Sequence, residues 1–215
     1  MQTGKTRKML NTWTLKTLAL AAAVTLLPLG LHAAPKVAAP APEFTGKTAA
    51  GETVDLSALK GKKVVLEWTN KDCPYVRKHY GTENMQGLQA ESKSDHDVVW
   101  ISVISSAPGT QGYLEPQEAL AHVDEAKARP DHVILDPEGT IGRAYGAVTT
   151  PHMYVIDEQG TLRFMGGIDD KPSANWETVK GARNYVRAAL DDLAAGGEVK
   201  EAVTRPYGCS VKYGS

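Results

Sequence analysis

The sequence predicts an α/β fold: a mixed central sheet with helices on both faces, followed by an extended C-terminal tail. Three observations carry that expectation. Short, nearly continuous apolar runs alternate with stretches of helical spacing. Two of the runs flank a polar turn of four residues, the mark of a hairpin. No internal repeat and no low-complexity segment interrupts the succession after residue 42, so the order strand, helix, strand, helix, hairpin, helix implies one layered domain.

Residues 1–34 stand apart from that domain. Lys5, Arg7, Lys8 and Lys16 precede an apolar run from Leu18 to Leu31, and the small residues Ala33 and Ala34 follow. This is the order of a secretory signal, and the apolar run is short for a bilayer span and interrupted by Pro28 and Gly30. We therefore expect a cleaved signal, a periplasmic or otherwise exported mature protein, and no stable membrane anchor. Removing residues 1–34 leaves 20 basic against 25 acidic side chains. The Ala and Pro stretch 35–42 reads as an extended linker, 43–196 as the domain, and 197–215 as the tail.

Within the domain, Thr53–Leu56 reads as a short strand. Lys63–Thr69, with Val64, Val65, Leu66 and Trp68, reads as a strand covered on both faces. Pro74 suits a first helical turn, and Val76, Tyr80, Met85 and Leu88 share one helical face, with Gly81 as a break point. A strand over Val98–Ile104, a helix over Pro116–Ala128, a strand over His132–Leu135 and a short helix around Ile141–Tyr145 follow. Met153–Ile156 and Thr161–Met165 flank Asp157, Glu158, Gln159 and Gly160 as a hairpin. Val179, Ala182, Val186, Leu190 and Leu193 mark an amphipathic last helix, ended by Gly196 and Gly197.

Composition narrows the function. With 24 basic and 25 acidic residues in 215, and no basic patch interleaved with aromatics, nucleic acid is not an expected partner. An apolar fraction of 42% supports a single buried core and excludes a disordered chain. Two cysteines are too few for a disulfide scaffold or a structural zinc site, and in an oxidising compartment they read as a pair or as exchange chemistry. No cofactor is expected, and metal binding is only a runner-up. The run TGKT ending at Thr48 resembles the end of a phosphate loop, but Ala41 stands where its first Gly is required.

The strand VVLEWTN running into DCPYVRK, and TTPHMYVIDEQGTLRFMGGID some eighty residues later, resemble the thioredoxin fold in its redoxin branch, the alkyl hydroperoxide reductase and thiol-specific antioxidant superfamily. The resemblance covers roughly residues 43–195. It implies that Cys73 is the nucleophile, and Val76 stands where a CxxC motif would have its second Cys. It also implies that Thr150 and Pro151 form the loop with a cis X-Pro bond that faces the active Cys and binds substrate. The ending GCSVKY, with Cys209, resembles the tail of an exported subgroup with a single active-site Cys.

The residues have their own physical reading. A thiol at a helix N-terminus feels free N–H groups and the positive end of the helix dipole, which favour thiolate. Lys71, Arg77 and Lys78 add positive charge near Cys73 and Asp72 opposes it, while polar Asn70, Lys71 and Asp72 argue for an accessible thiol. Asn70 and Arg77 are the candidate supporting residues. Cys209, 136 positions after Cys73, reads either as a resolving thiol or as a static staple, the latter contributing roughly 5 kcal/mol in the chain-entropy account. His79 falls off the helical face nearest Cys73, His152 follows Pro151 as a structural or thiol-facing residue, and Asp169 and Asp170 read as a turn.

Three function classes fit: a thiol oxidoreductase acting on thiol or disulfide proteins with a separate electron donor, a non-catalytic binding module with a structural disulfide, and a copper-handling protein. Peroxiredoxins of this superfamily resemble one another in a PxxxTxxC motif; here Leu66 replaces the Pro and Asn70 the Thr. That difference favours disulfide exchange over peroxide reduction.

Overall fold

The computed structural model describes residues 1–4 and 34–214, so the expected export signal, which rests on residues 5–33, lies outside the described residues. Nine strands and five α-helices are described: β1 (Thr45–Thr48), β2 (Thr53–Asp55), β3 (Lys63–Trp68), α1 (Pro74–Gly81), α2 (Asn84–His96), β4 (Val98–Ile104), α3 (Pro116–Glu125), β5 (His132–Leu135), α4 (Thr140–Ala144), β6 (Thr149–Thr150), β7 (His152–Ile156), β8 (Leu162–Gly166), α5 (Tyr185–Ala194) and β9 (Cys209–Ser210). Seven strands form one sheet in the order β2-β1-β5-β4-β3-β7-β8, and β6 pairs with β9 in a second, two-stranded sheet.

Strand β3 is flanked by parallel β4 and antiparallel β7, a mixed sheet of the thioredoxin type that the resemblance implies. Strand alternation sends its side chains to two cores. Val64, Leu66 and Trp68 pack with Ile101, Val103, Tyr154 and, from α4, Ile141. Val65 packs on the other face with Trp100, Met153 and Phe164 beneath α2 and α5. Glu67, on that second face, is fully buried and accepts hydrogen bonds from Tyr80 Oη (2.8 Å), Trp100 Nε1 (2.9 Å) and Ser102 Oγ (3.1 Å). Burial pushes its carboxyl up. This network ties α1 to the sheet and so fixes where the helix presents Cys73.

The helical face read through Val76 and Leu88 belongs to two helices, divided at the expected break: α1 ends at Gly81, Thr82 Oγ1 donates to Lys78 O (2.7 Å), and Glu83 turns the chain at φ 57°. Other local expectations are corrected. The last helix starts at Tyr185 and not near Val179, because the Asn184 side chain caps it by accepting from Arg187 N (2.9 Å). TGKT is strand β1, hydrogen-bonded on both edges. The Ala and Pro stretch does not hang free: Ala38 N donates to Leu162 O (2.8 Å), Ala41 N donates to Gly160 O (2.9 Å), and Ala41 is buried.

The described part of the tail, 197–214, is hydrogen-bonded to the domain at several points. Met165 N donates to Ala202 O (3.0 Å), Thr204 N donates to Met165 O (3.1 Å), and the chain then crosses to β6. Beyond β9, Tyr213 Oη donates to Ala147 O (2.7 Å), and its ring lies under the Arg143 guanidinium at 4.8 Å. A side chain at Gly142 would collide with that ring, so this glycine gives Tyr213 its seat.

Candidate active site

Strand β3 delivers the chain to a tight loop, Thr69–Asp72, that starts α1. Asn70 organises this loop. Its Oδ1 accepts from Asp72 N (2.9 Å), its Nδ2 donates to Gln111 O (3.1 Å), and its main-chain O accepts from Cys73 N (3.0 Å). Both ends of the Asn70 amide are thus engaged in holding the loop. Cys73 sits at the N-cap of α1 with Pro74 as the first helical residue.

The Thr150–Pro151 bond is cis, and its loop faces Cys73: Sγ lies 3.1 Å from Thr150 O. Antiparallel β6–β9 pairing sets Cys209 directly opposite Thr150 and Ser210 opposite Thr149. The two cysteines that sequence separates by most of the chain are thereby neighbours through one shared residue. Both are free thiols.

Their chemistry diverges. Burial alone would push the Cys73 thiol up, but a hydrogen bond from the Cys209 thiol, then the Val76 N–H, the Thr150 side chain and the Cys209 N–H, outweigh it and hold Cys73 below the ordinary thiol value. Cys73 makes no cap hydrogen bond of ordinary geometry, so the Val76 N–H acts on the sulfur as a helix-end dipole. Burial, the same hydrogen bond and the neighbouring negative sulfur push Cys209 up to about 11. The two shifts run in opposite directions, so Cys73 gives up its proton at lower pH than Cys209 does.

Two features of the expected site are corrected. Cys73 is 0% exposed, not accessible, and Cys209 of the tail stands against it. Nor do the flanking cations activate it. Lys71 pairs with Asp72 at 2.8 Å, Arg77 is exposed and touches Cys73 only through its main-chain N–H to Cys73 O (2.9 Å), and Lys78 is turned inward. His152 is buried beside the Tyr154 hydroxyl (3.0 Å), and burial lowers it to about 4, so it is a neutral core residue.

Sequence reasoning missed a buried polar cluster next to the tail. Asp169, read as part of a turn, is buried and accepts from the Tyr207 hydroxyl, and Lys78 and His79 face the same hydroxyl at 3.4 and 3.3 Å. The available signal was the adjacent Lys78 and His79 falling beside Val76 on the inward face of α1. Among the described residues, no group of three or more His, Cys, Asp or Glu is placed to hold a metal, and no helix is long and apolar enough to cross a membrane.

Comparison with known proteins agrees with this architecture. The thioredoxin-like protein YneN of Bacillus subtilis (strain 168) is 26% identical over 123 residues, 57% of this chain and 66% of its own length. A hypothetical protein from Sinorhizobium meliloti 1021 superposes with a TM-score of 0.72 at 19% identity, covering 85% of this chain and 97% of the other. A putative thiol:disulfide interchange protein DsbE from Chlorobium tepidum superposes with a TM-score of 0.50 at 23% identity, covering 61% and 85%. The model of the AhpC/TSA family matches residues 37–165, more than half of the sequence, and the chain belongs to that family.

Proposed function

We propose that the protein is an exported thiol–disulfide oxidoreductase in which Cys73 attacks a disulfide of a protein substrate and Cys209 resolves the product. The observation that carries this reading is the β6–β9 pairing, which sets Cys209 opposite Thr150 while Cys73 Sγ contacts the same residue at 3.1 Å. In the first step the Cys73 thiolate forms a bond to one substrate sulfur, the substrate S–S bond breaks, and the other sulfur leaves as thiolate. In the second, Cys209 loses its proton to solvent and attacks Cys73 Sγ. The intramolecular disulfide forms and the substrate leaves with both electrons. A dithiol donor must return two electrons to the pair.

The second step is helped by the first. Cys209 is held protonated partly by the negative charge on Cys73, and that charge disappears once Cys73 is in a mixed disulfide. Lys212 then acts on Cys209 with less opposition. Because Cys73 is buried under the tail, attack on a protein disulfide requires β9 to lift from β6, and resolution requires its return. In this reading 43–196 is the redoxin domain, 197–215 the resolving tail, Thr150 and Pro151 the substrate edge, and 1–34 the signal that delivers the protein to an oxidising compartment.

Disulfide exchange is favoured over peroxide reduction because Asn70, in the place of the peroxidase Thr, has both amide ends committed to its loop. The test is to treat reduced protein with oxidised glutathione and quench with acid. The parent should collect as the Cys73–Cys209 disulfide and Cys209→Ser as a glutathione adduct on Cys73. Loss of stability in Cys209→Ser without any adduct would make the bond a static staple. A Cys73-dependent rate with hydrogen peroxide orders of magnitude above that of a small thiol would make the protein a peroxidase.

A further inference from the structure

We propose that Tyr207 is the positioning residue that aims Cys209 at Cys73, seated in a socket formed by Asp169, Lys78 and His79. This rests on the reading of Cys209 as the resolving thiol. Tyr207 precedes Cys209 with only Gly208 between them, and Gly208 has φ 141°, a conformation that favours glycine. The tail therefore bends sharply between the tyrosine and the thiol. Wherever the Tyr207 ring is held, the path to Cys209 is short and fixed.

The ring packs edge-on against Tyr75 of α1 at 5.8 Å, two residues after Cys73. Its hydroxyl donates to Asp169 Oδ1. His79 Nδ1 accepts from Asn84 Nδ2 (2.8 Å), which leaves His79 Nε2–H to donate to the tyrosine oxygen at 3.3 Å. Lys78 Nζ lies 3.4 Å from that oxygen and 5.3 Å from the ring centroid. Three polar side chains from the folded domain thus converge on a single tail hydroxyl.

The socket is costly to keep without such a task. The side chains of Lys78 and His79 are 0% exposed and that of Asp169 is 2% exposed, while Lys78 and Asp169 stand 3.9 Å apart, longer than a hydrogen-bonded pair, with Asp169 Oδ2 lacking a hydrogen-bond partner. Apolar residues would fill the same volume with less desolvation, and buried polar groups of this kind are best explained when they fix one register. Here the register fixed is that of the tail against α1. The remaining Lys78 bonds, to Lys171 O (3.2 Å) and Thr178 Oγ1 (3.5 Å), hold Nζ in place beside the tyrosine.

The test follows both chemical steps in the full chain with oxidised glutathione, quenching with acid and resolving thiol, adduct and intramolecular disulfide by mass. In Tyr207→Phe the adduct on Cys73 should convert to the Cys73–Cys209 disulfide about tenfold more slowly or worse, since the hydroxyl's charge-assisted bond to Asp169 alone accounts for about tenfold. Formation of the adduct should be no slower than in the parent, since a looser tail uncovers Cys73. Asp169→Asn, which keeps an acceptor for the hydroxyl but removes its charge, should slow conversion by a smaller factor. Conversion at the parent rate in both variants, with Cys209→Ser still trapping the adduct, would overturn the positioning role and leave the oxidoreductase reading standing. Equal slowing of both steps would make Tyr207 a structural prop and also overturn it. Absence of a trapped adduct in Cys209→Ser would remove the underlying reading itself.

Discussion

At Cys73, the opposing effects on the thiol can be separated by substitution. Burial raises its pKa, and the largest effect in the other direction is the hydrogen bond from the Cys209 thiol, followed by the helix-end N–H of Val76. The Cys73 thiol is therefore lowered chiefly by Cys209, and charge on neighbouring side chains has little part. Cys209→Ala removes the donor and should raise the Cys73 pKa, whereas Cys209→Ser retains a hydroxyl donor and should raise it less. Thiolate ultraviolet absorbance against pH, with Cys73→Ser as the blank, measures this. Equal titration of Cys73 in the parent and in Cys209→Ala would show that the helix terminus alone activates the thiol. A Cys next to Pro at a strand-to-helix junction is legible in sequence, because the helix terminus is local. Its burial was not legible, since Cys209, which stands against it, lies 136 positions away.

Among the elements, legibility follows the strength of local periodicity. Strands β3, β4 and β7 are continuous apolar runs because both faces are covered, and they were read with nearly correct bounds. Strands β6 and β9 have two residues each, too short to show alternation, and exist only because each supplies the other's hydrogen bonds. The division of α1 from α2 was half legible: Gly81 marks it, but the ring of Trp176, seated where a Cβ on Gly81 would collide, explains why glycine is needed. Gly208 has the corresponding role in the tail. A methyl group there would overlap the Thr150 carbonyl, and φ 141° is unfavourable for any L side chain. Gly208→Ala should therefore push β9 off β6 while leaving the seven-stranded sheet intact. Alkylation of Cys73 by iodoacetamide should rise at least severalfold, with far-UV circular dichroism unchanged. Parent-like protection of Cys73 would mean that the β6–β9 pairing does not cover it.

Over the whole molecule, the buried ionisable groups set how stability depends on pH. His79 and His152 are neutral in the folded chain because burial lowers them to about 3 and about 4, and for His79 the nearby Lys78 charge adds to the effect. In the unfolded chain each should titrate near the ordinary value of about 6.5. Between those values the unfolded state binds more protons than the native state, so stability is fully present above about 6.5 and declines as pH falls toward 4. Each histidine contributes up to about 1.4 kcal/mol per pH unit in that window. Glu67 acts in the opposite sense: its raised carboxyl holds a proton in the native state that the unfolded chain has already lost, and its contribution is greatest at low pH. The net slope mixes these effects, so the informative quantity is a difference between variants. Denaturant unfolding of the reduced parent and of His152→Gln at pH 7 and pH 5 should show the variant losing about 2 kcal/mol less over that interval, as 1.5 units below the unfolded histidine value implies. Parallel losses in the two proteins would mean that His152 takes up its proton in the folded state, and that the core beside Pro151 admits a charge that its burial should exclude.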